Sequence, residues 1–163
     1  MKTLLIVYHS MTGAAEQLAR AAAEGARSEP DLCTRLLRAP QAGADDVLAG
    51  DAYLFVAPEN LASLAGLMKD FFDRIYYPVL DRINGRPYAA LIAAGTDGAG
   101  AARQIERIAT GLRLRAVAAP LIVRNGAQTA AAIMAPKTVP APELARAREL
   151  GTALAVGVAS GIY

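Results

Sequence analysis

The sequence holds one cysteine, one histidine and no tryptophan among its 163 residues. A lone Cys33 excludes an internal disulfide, and with His9 as the only imidazole a His/Cys metal site has almost no ligands to draw on. An excess of one charge is missing too: 17 Lys and Arg against 15 Asp and Glu leave a net +2, too balanced for a nucleic-acid binder working through a basic face. Long apolar runs are absent. The longest charge-free stretch, Leu150 to Tyr163, has 14 residues with three glycines, short of the roughly 20 that span a bilayer. No membrane insertion is expected. The apolar run after Met1-Lys2 ends at His9 without a small-residue cleavage site, so it reads as a strand rather than a signal peptide, and the expected location is the cytoplasm.

What is present is a 54% hydrophobic chain of a length that fits one domain of roughly 150 residues; residues 1–163 read as a single unit. Strand-length apolar runs alternate with stretches of helical period. The strands are Thr3–Tyr8, the more polar Leu32–Leu37 that suits an edge, Ala52–Ala57, Tyr88–Ala94, and Arg113–Arg124 with an interruption at Pro120. Thr3–Tyr8, apolar throughout, reads as the middle of the sheet. Between them Leu18, Ala21, Ala22 and Gly25 mark a small-residue helix face, Ser63 stands as the cap of a helix carrying Leu64, Leu67, Met68, Phe71, Phe72 and Ile75, and Pro142 opens a closing helix after a loop of Ala, Pro and Thr. The pattern predicts an α/β fold, a doubly wound parallel sheet with helices on both faces. Ligands of such sheets bind beyond the carboxyl ends of the strands, where the winding reverses. Three loops lie there: His9 to Ala15, Pro58 to Ser63 and Gly95 to Gly100.

In the first loop, Ser10, Met11, Thr12, Gly13, Ala14 and Ala15 join a buried strand to a helix start. Two hydroxyls and the first unpaired helical amides converge there, and the positive end of the helix dipole favours an anion without any Lys or Arg. An equally good reading makes Thr12 an ordinary helix cap. Other phosphate sites are excluded by pattern: Gly-x-x-x-x-Gly-Lys does not occur, and Gly95 to Gly100 lacks the Gly-x-Gly-x-x-Gly order of a dinucleotide fingerprint. A response regulator needs acidic residues where this chain has His9-Ser10 and Ala57-Pro58.

Three segments carry a resemblance that spans essentially the whole chain: Tyr8-His9-Ser10-Met11-Thr12-Gly13, then Pro58-Glu59-Asn60 through Gly66-Leu67-Met68-Lys69-Asp70-Phe71-Phe72-Asp73, then Ala94-Gly95-Thr96-Asp97-Gly98. With these the sequence resembles the flavodoxin-like superfamily, and within it the NAD(P)H-dependent FMN reductase and quinone reductase branch. The resemblance implies a five-stranded sheet of order 2-1-3-4-5 and FMN as cofactor. It implies that Ser10 to Ala15 hold the phosphate, that Pro58, Glu59, Asn60 and Leu61 border the isoalloxazine, and that Gly95, Thr96, Asp97 and Gly98 line its other edge. It further implies NAD(P)H as electron donor, a quinone or other small molecule as acceptor, and a homodimer or higher homo-oligomer. Two departures stand out. The family's phosphate loop usually ends in Thr where this chain has Ala15, which removes a hydroxyl donor to a charged group, on the order of 1.5 to 3 kcal/mol. Neither ring-side loop contains an aromatic residue, so one flavin face is expected to be open to a nicotinamide.

The remaining polar residues have plainer readings beside functional ones. His9 shapes its loop or touches the ligand. Asp97 accepts a flavin N–H or caps the next helix. Lys69 and Asp73 form an i,i+4 pair on a solvated face, Tyr76-Tyr77 pack in the core or at an interface or else cover a flavin edge of a neighbouring subunit, and Cys33 is a small buried hydrophobe. Arg103, Arg107, Arg113 and Arg115 serve solubility or attract a 2′-phosphate. No catalytic acid pair or triad is visible, as suits a reaction whose chemistry belongs to the cofactor. Two competing functions share the pattern: an electron-carrier flavodoxin without its own substrate, and a protein of the same fold that binds no flavin.

Overall fold

Side-chain alternation along the first strand sets the layers. In the computed structural model, which describes residues 1–163, β1 (Lys2–Tyr8) sends Leu4 and Ile6 into one core and Leu5 and Val7 into another, all four fully buried. A strand buried on both faces requires helices on both. The Leu4 side is covered by α1 (Ala14–Ala26) and, from the end of the chain, α6 (Ala141–Ala159). The Leu5 side is covered by α2 (Ala44–Ala49), α3 (Gly66–Val79) and α4 (Ala99–Gly111). The helices α1 and α6 meet backbone to backbone: a Cβ at Gly151 would lie 1.9 Å from the Ala22 carbonyl oxygen, and one at Gly25 would lie 2.0 Å from that of Arg148.

The sheet runs in the order β2 (Leu32–Arg38), β1, β3 (Ala52–Asn60), β5 (Pro87–Ala94), all parallel, so the winding reverses between β1 and β3. This is the doubly wound order anticipated from the sequence. The polar β2, with Arg35 and Arg38, is an edge as its composition suggests. Five details differ. The sheet's middle is β3 rather than β1, which sits one place nearer the β2 edge. The fifth position holds two short pieces, β6 (Arg115–Ala116) and β7 (Leu121–Arg124), both paired with β5; Pro120 between them has no N–H to give a ladder. Ser63 does not cap a helix. It pairs with Asn60 in β4 (Ser63–Leu64), an antiparallel extension of β3, and α3 begins only at Gly66. Cys33 lies exposed on the edge strand instead of buried, and a short exposed helix, α5 (Ala130–Met134), occupies the Ala-rich segment read as loop.

Candidate functional site

The loops after β1, β3, β5 and β7 converge on a cleft of about 780 Å³, within the size range of small-molecule and cofactor sites. Its floor and walls include Ser10, Met11, Thr12, Ala14 and Ala15 from the first loop, Pro58 to Ala62 from the second, and Gly95 and Thr96 from the third. Gly13, Asp97 and Gly98, expected with them, do not line it. Sequence reasoning did not anticipate Asn125, Ala127, Ile133, Met134 and Lys137, which also line it. None of Arg103, Arg107, Arg113 and Arg115 lines the cleft, and Arg113 pairs instead with Asp81. Lys69 and Asp73 form the exposed pair expected of them, 2.7 Å apart.

Two helices begin in the same way at this end of the sheet. Gly13 precedes α1 and Gly98 precedes α4, both with φ of 95° and neither helix capped by the residue before it. A left-handed backbone is open to glycine at little cost and lets the chain turn directly from strand into helix. The two helix starts have different fates. At α4 the carboxylate of Glu59 receives the amide N–H of Gly98 at 2.8 Å with one oxygen and that of Ala101 at 3.0 Å with the other. A half-buried anion thus satisfies the helix end, as its dipole and free N–H groups favour. Asp97 adds a longer contact, 3.3 Å from the Ala99 amide.

At α1 no carboxylate does this. Gly13 N–H donates to Ser10 Oγ at 3.1 Å, and the amides of Met11, Thr12, Ala14 and Ala15 donate to no protein acceptor. Thr12 does not cap the helix. Its hydroxyl and that of Ser10 retain donors for a ligand, and the two residues line the cleft. Glu16, in the first turn, is engaged by Arg20 at 2.8 Å and lies 3.7 Å from Arg38. Burial, with the Arg38 guanidinium second, lowers the His9 pKa below its ordinary 6.5, so at neutral pH the ring beside the loop is uncharged.

The second loop is a two-residue hairpin. Leu61 and Ala62 have φ of 51° and 57°, the pair of left-handed residues that a type I′ turn requires and that Asn-Gly normally supplies. Leu61 is 99% exposed, so its conformation gains nothing from packing. The tip is held from below: Gly100 approaches so closely that a Cβ would lie 2.0 Å from the Ala62 carbonyl oxygen. Exposed Met11, Ile133 and Met134 stand with Leu61 around the cleft mouth, and neither the second nor the third loop contributes an aromatic ring.

The family described as NADPH-dependent FMN reductase matches residues 3–128. A flavodoxin of Aquifex aeolicus is 32% identical over 100 residues, 61% of this chain and 54% of its own. An NAD(P)H dehydrogenase (quinone) of Acidithiobacillus ferrooxidans is 32% identical over 45% of this chain and 47% of its own. The chain spans about half the length of these two relatives that it matches. Among solved structures, a flavodoxin from the domain Archaea superposes with a TM-score of 0.77 at 16% identity, covering 96% of this chain and 98% of that one. At that identity the likeness speaks for the fold alone.

Proposed function

From the premise that this chain belongs to the NADPH-dependent FMN reductase family, we propose that it is an FMN-dependent oxidoreductase. In this reading the phosphate sits on the amides of Ser10 to Ala15, and electrons pass from NAD(P)H to a quinone or other small acceptor. The observation that carries the reading is the contrast between the two helix starts. The protein fills one of two like-shaped N-termini with its own two-oxygen anion, Glu59. It turns the other, with free amides and two hydroxyls, into a cleft large enough for a tricyclic ring. The donor set therefore fits a phosphate monoester without any change of fold.

Bound FMN supplies the hydride and electron chemistry, and the chain's residues bind and orient it. Ser10 and Thr12 donate O–H bonds, and the α1 amides add a fixed positive field to the same spot. Pro58, Asn60 and Leu61 wall one side of the cleft and Gly95 and Thr96 the other. Because neither wall carries an aromatic side chain, the protein leaves room for a second flat ligand, as nicotinamide and acceptor both require. The Aquifex flavodoxin match favours a second reading, an electron carrier that lacks a substrate of its own.

Purified chain reconstituted with FMN and mixed anaerobically with NADPH or NADH tests the proposal. Bleaching of the flavin absorbance, followed by turnover with a quinone, is expected. Flavin bound tightly but reduced by neither nucleotide would favour the carrier, and no flavin binding at all would refute both.

A further inference from the structure

The cleft lining contains one carboxylate and one cation, Glu59 and Lys137. Glu59 is committed to the α4 amides. Lys137 is not committed to any acid, for it takes part in no ion pair. Its ammonium donates only to two carbonyl oxygens at the exposed end of α5, those of Ile133 at 2.9 Å and Ala135 at 2.5 Å.

The backbone of Lys137, by contrast, is clamped to the first loop. Its N–H donates to the Thr12 carbonyl at 2.8 Å, and its carbonyl accepts from Gln17 Nε2 at 2.7 Å. The same Gln17 amide group donates to the Gly13 carbonyl at 3.0 Å, while its oxygen accepts the Val139 N–H at 3.0 Å. One buttress thus ties residues 12, 13, 137 and 139 together. A flexible four-carbon arm rooted at that point can turn from α5 towards an anion on the Ser10–Ala15 amides. Such a turn exchanges two carbonyl dipoles for a full negative charge, and the ammonium gains a Coulombic attraction that neutral acceptors do not offer.

We infer that Lys137 is the counter-ion of the bound phosphate, a positioning cation delivered from the segment after β7. The inference rests on the reading of this cleft as the FMN site. It gives the chain a replacement for the hydroxyl that Ala15 lacks, and His9, held neutral, cannot play that part.

The test is a pair of equilibrium titrations on flavin-free chain, with FMN and with riboflavin, which has the same rings but no phosphate. For Lys137→Ala and Lys137→Gln, FMN affinity should fall about tenfold or more while riboflavin affinity stays within about twofold. Added salt should weaken FMN binding more steeply in the wild type than in Lys137→Gln. Both variants keep the backbone bonds, and unchanged melting temperatures would show that the fold is intact. A wild-type preference for FMN over riboflavin that both variants retain in full overturns the lysine's role alone. A wild type with no such preference overturns it together with the phosphate site.

Discussion

Replacing Gly100 with Ala should damage stability and flavin binding together. A Cβ there would meet the Ala62 carbonyl oxygen at 2.0 Å and a Glu59 carboxylate oxygen at 3.2 Å. Ordinary carbon contacts begin near 3.5 Å, so the hairpin tip and the α4 start must separate by roughly 1.5 Å. Neither side is free to move. The tip is fixed by the Glu59–Leu64 and Asn60–Ser63 pairing, by Gln104, whose side chain accepts the Leu64 N–H, and by the two Glu59 bonds to α4. Overpacking against backbone costs about 1–3 kcal/mol, and weakening charge-assisted bonds adds about 1 kcal/mol, which together give about 2–4 kcal/mol. In a chain of this size each kcal/mol is worth about 2–4 °C, so melting should fall by about 5–15 °C. FMN affinity should fall as well, because Leu61 and Ala62 line the cleft. Gly66→Ala makes the same chemical change where nothing lies within 4 Å, and should be neutral or stabilising by about 0.5 kcal/mol. If Gly100→Ala melts within about 2 °C of Gly66→Ala, the close approach does not constrain the cleft wall.

Glu59→Ala should destabilise the chain by about 2 kcal/mol in urea titrations through loss of the α4 anion, and a midpoint equal to wild type would show that the helix start needs no partner. The double change Leu61→Asn with Ala62→Gly puts the preferred residues into the left-handed pair and should stabilise by about 1–2 kcal/mol. A loss of stability there would mean that the Leu61 side chain packs in a way its exposure conceals. His9 supplies a pH dependence. Since its folded pKa lies below the ordinary 6.5, the unfolded chain binds more protons in that interval, so stability is full above about 6.5 and declines as pH falls towards the folded value. His9→Gln should remove this decline, and identical urea midpoints against pH in the two proteins between pH 7.5 and 5.5 would refute it.

Strands and loops were legible because their signals are local. The unbroken apolar runs at Leu4–Val7 and Tyr88–Ala94 announce buried parallel strands, and Arg35 and Arg38 announce an edge. Ser63 misled because a cap signature is a property of three or four residues, whereas its β4 pairing depends on how far β3 continues past the sheet. The cleft was half legible. Ser10 to Ala15 are contiguous and could be read as an anion loop, but the commitment of Glu59 to α4 spans about 40 residues. The bond from Gln17 to Lys137 spans 120. Bonds of that reach leave no periodic trace in a sequence. The short α5 was invisible because five residues of Ala, Ile and Met following Thr129 are too few for a helical period to register.

The contact of α1 with α6 at Gly25 and Gly151 reaches further than packing. Two rods that touch with only hydrogen atoms between them have no soft layer in which to slip past each other. A shove on the closing helix at Gly151 would land on Ala22, about two turns behind the amides at the front of the rod. The placement of those amides is therefore set partly from the back of the molecule, at two glycines that do not line the cleft.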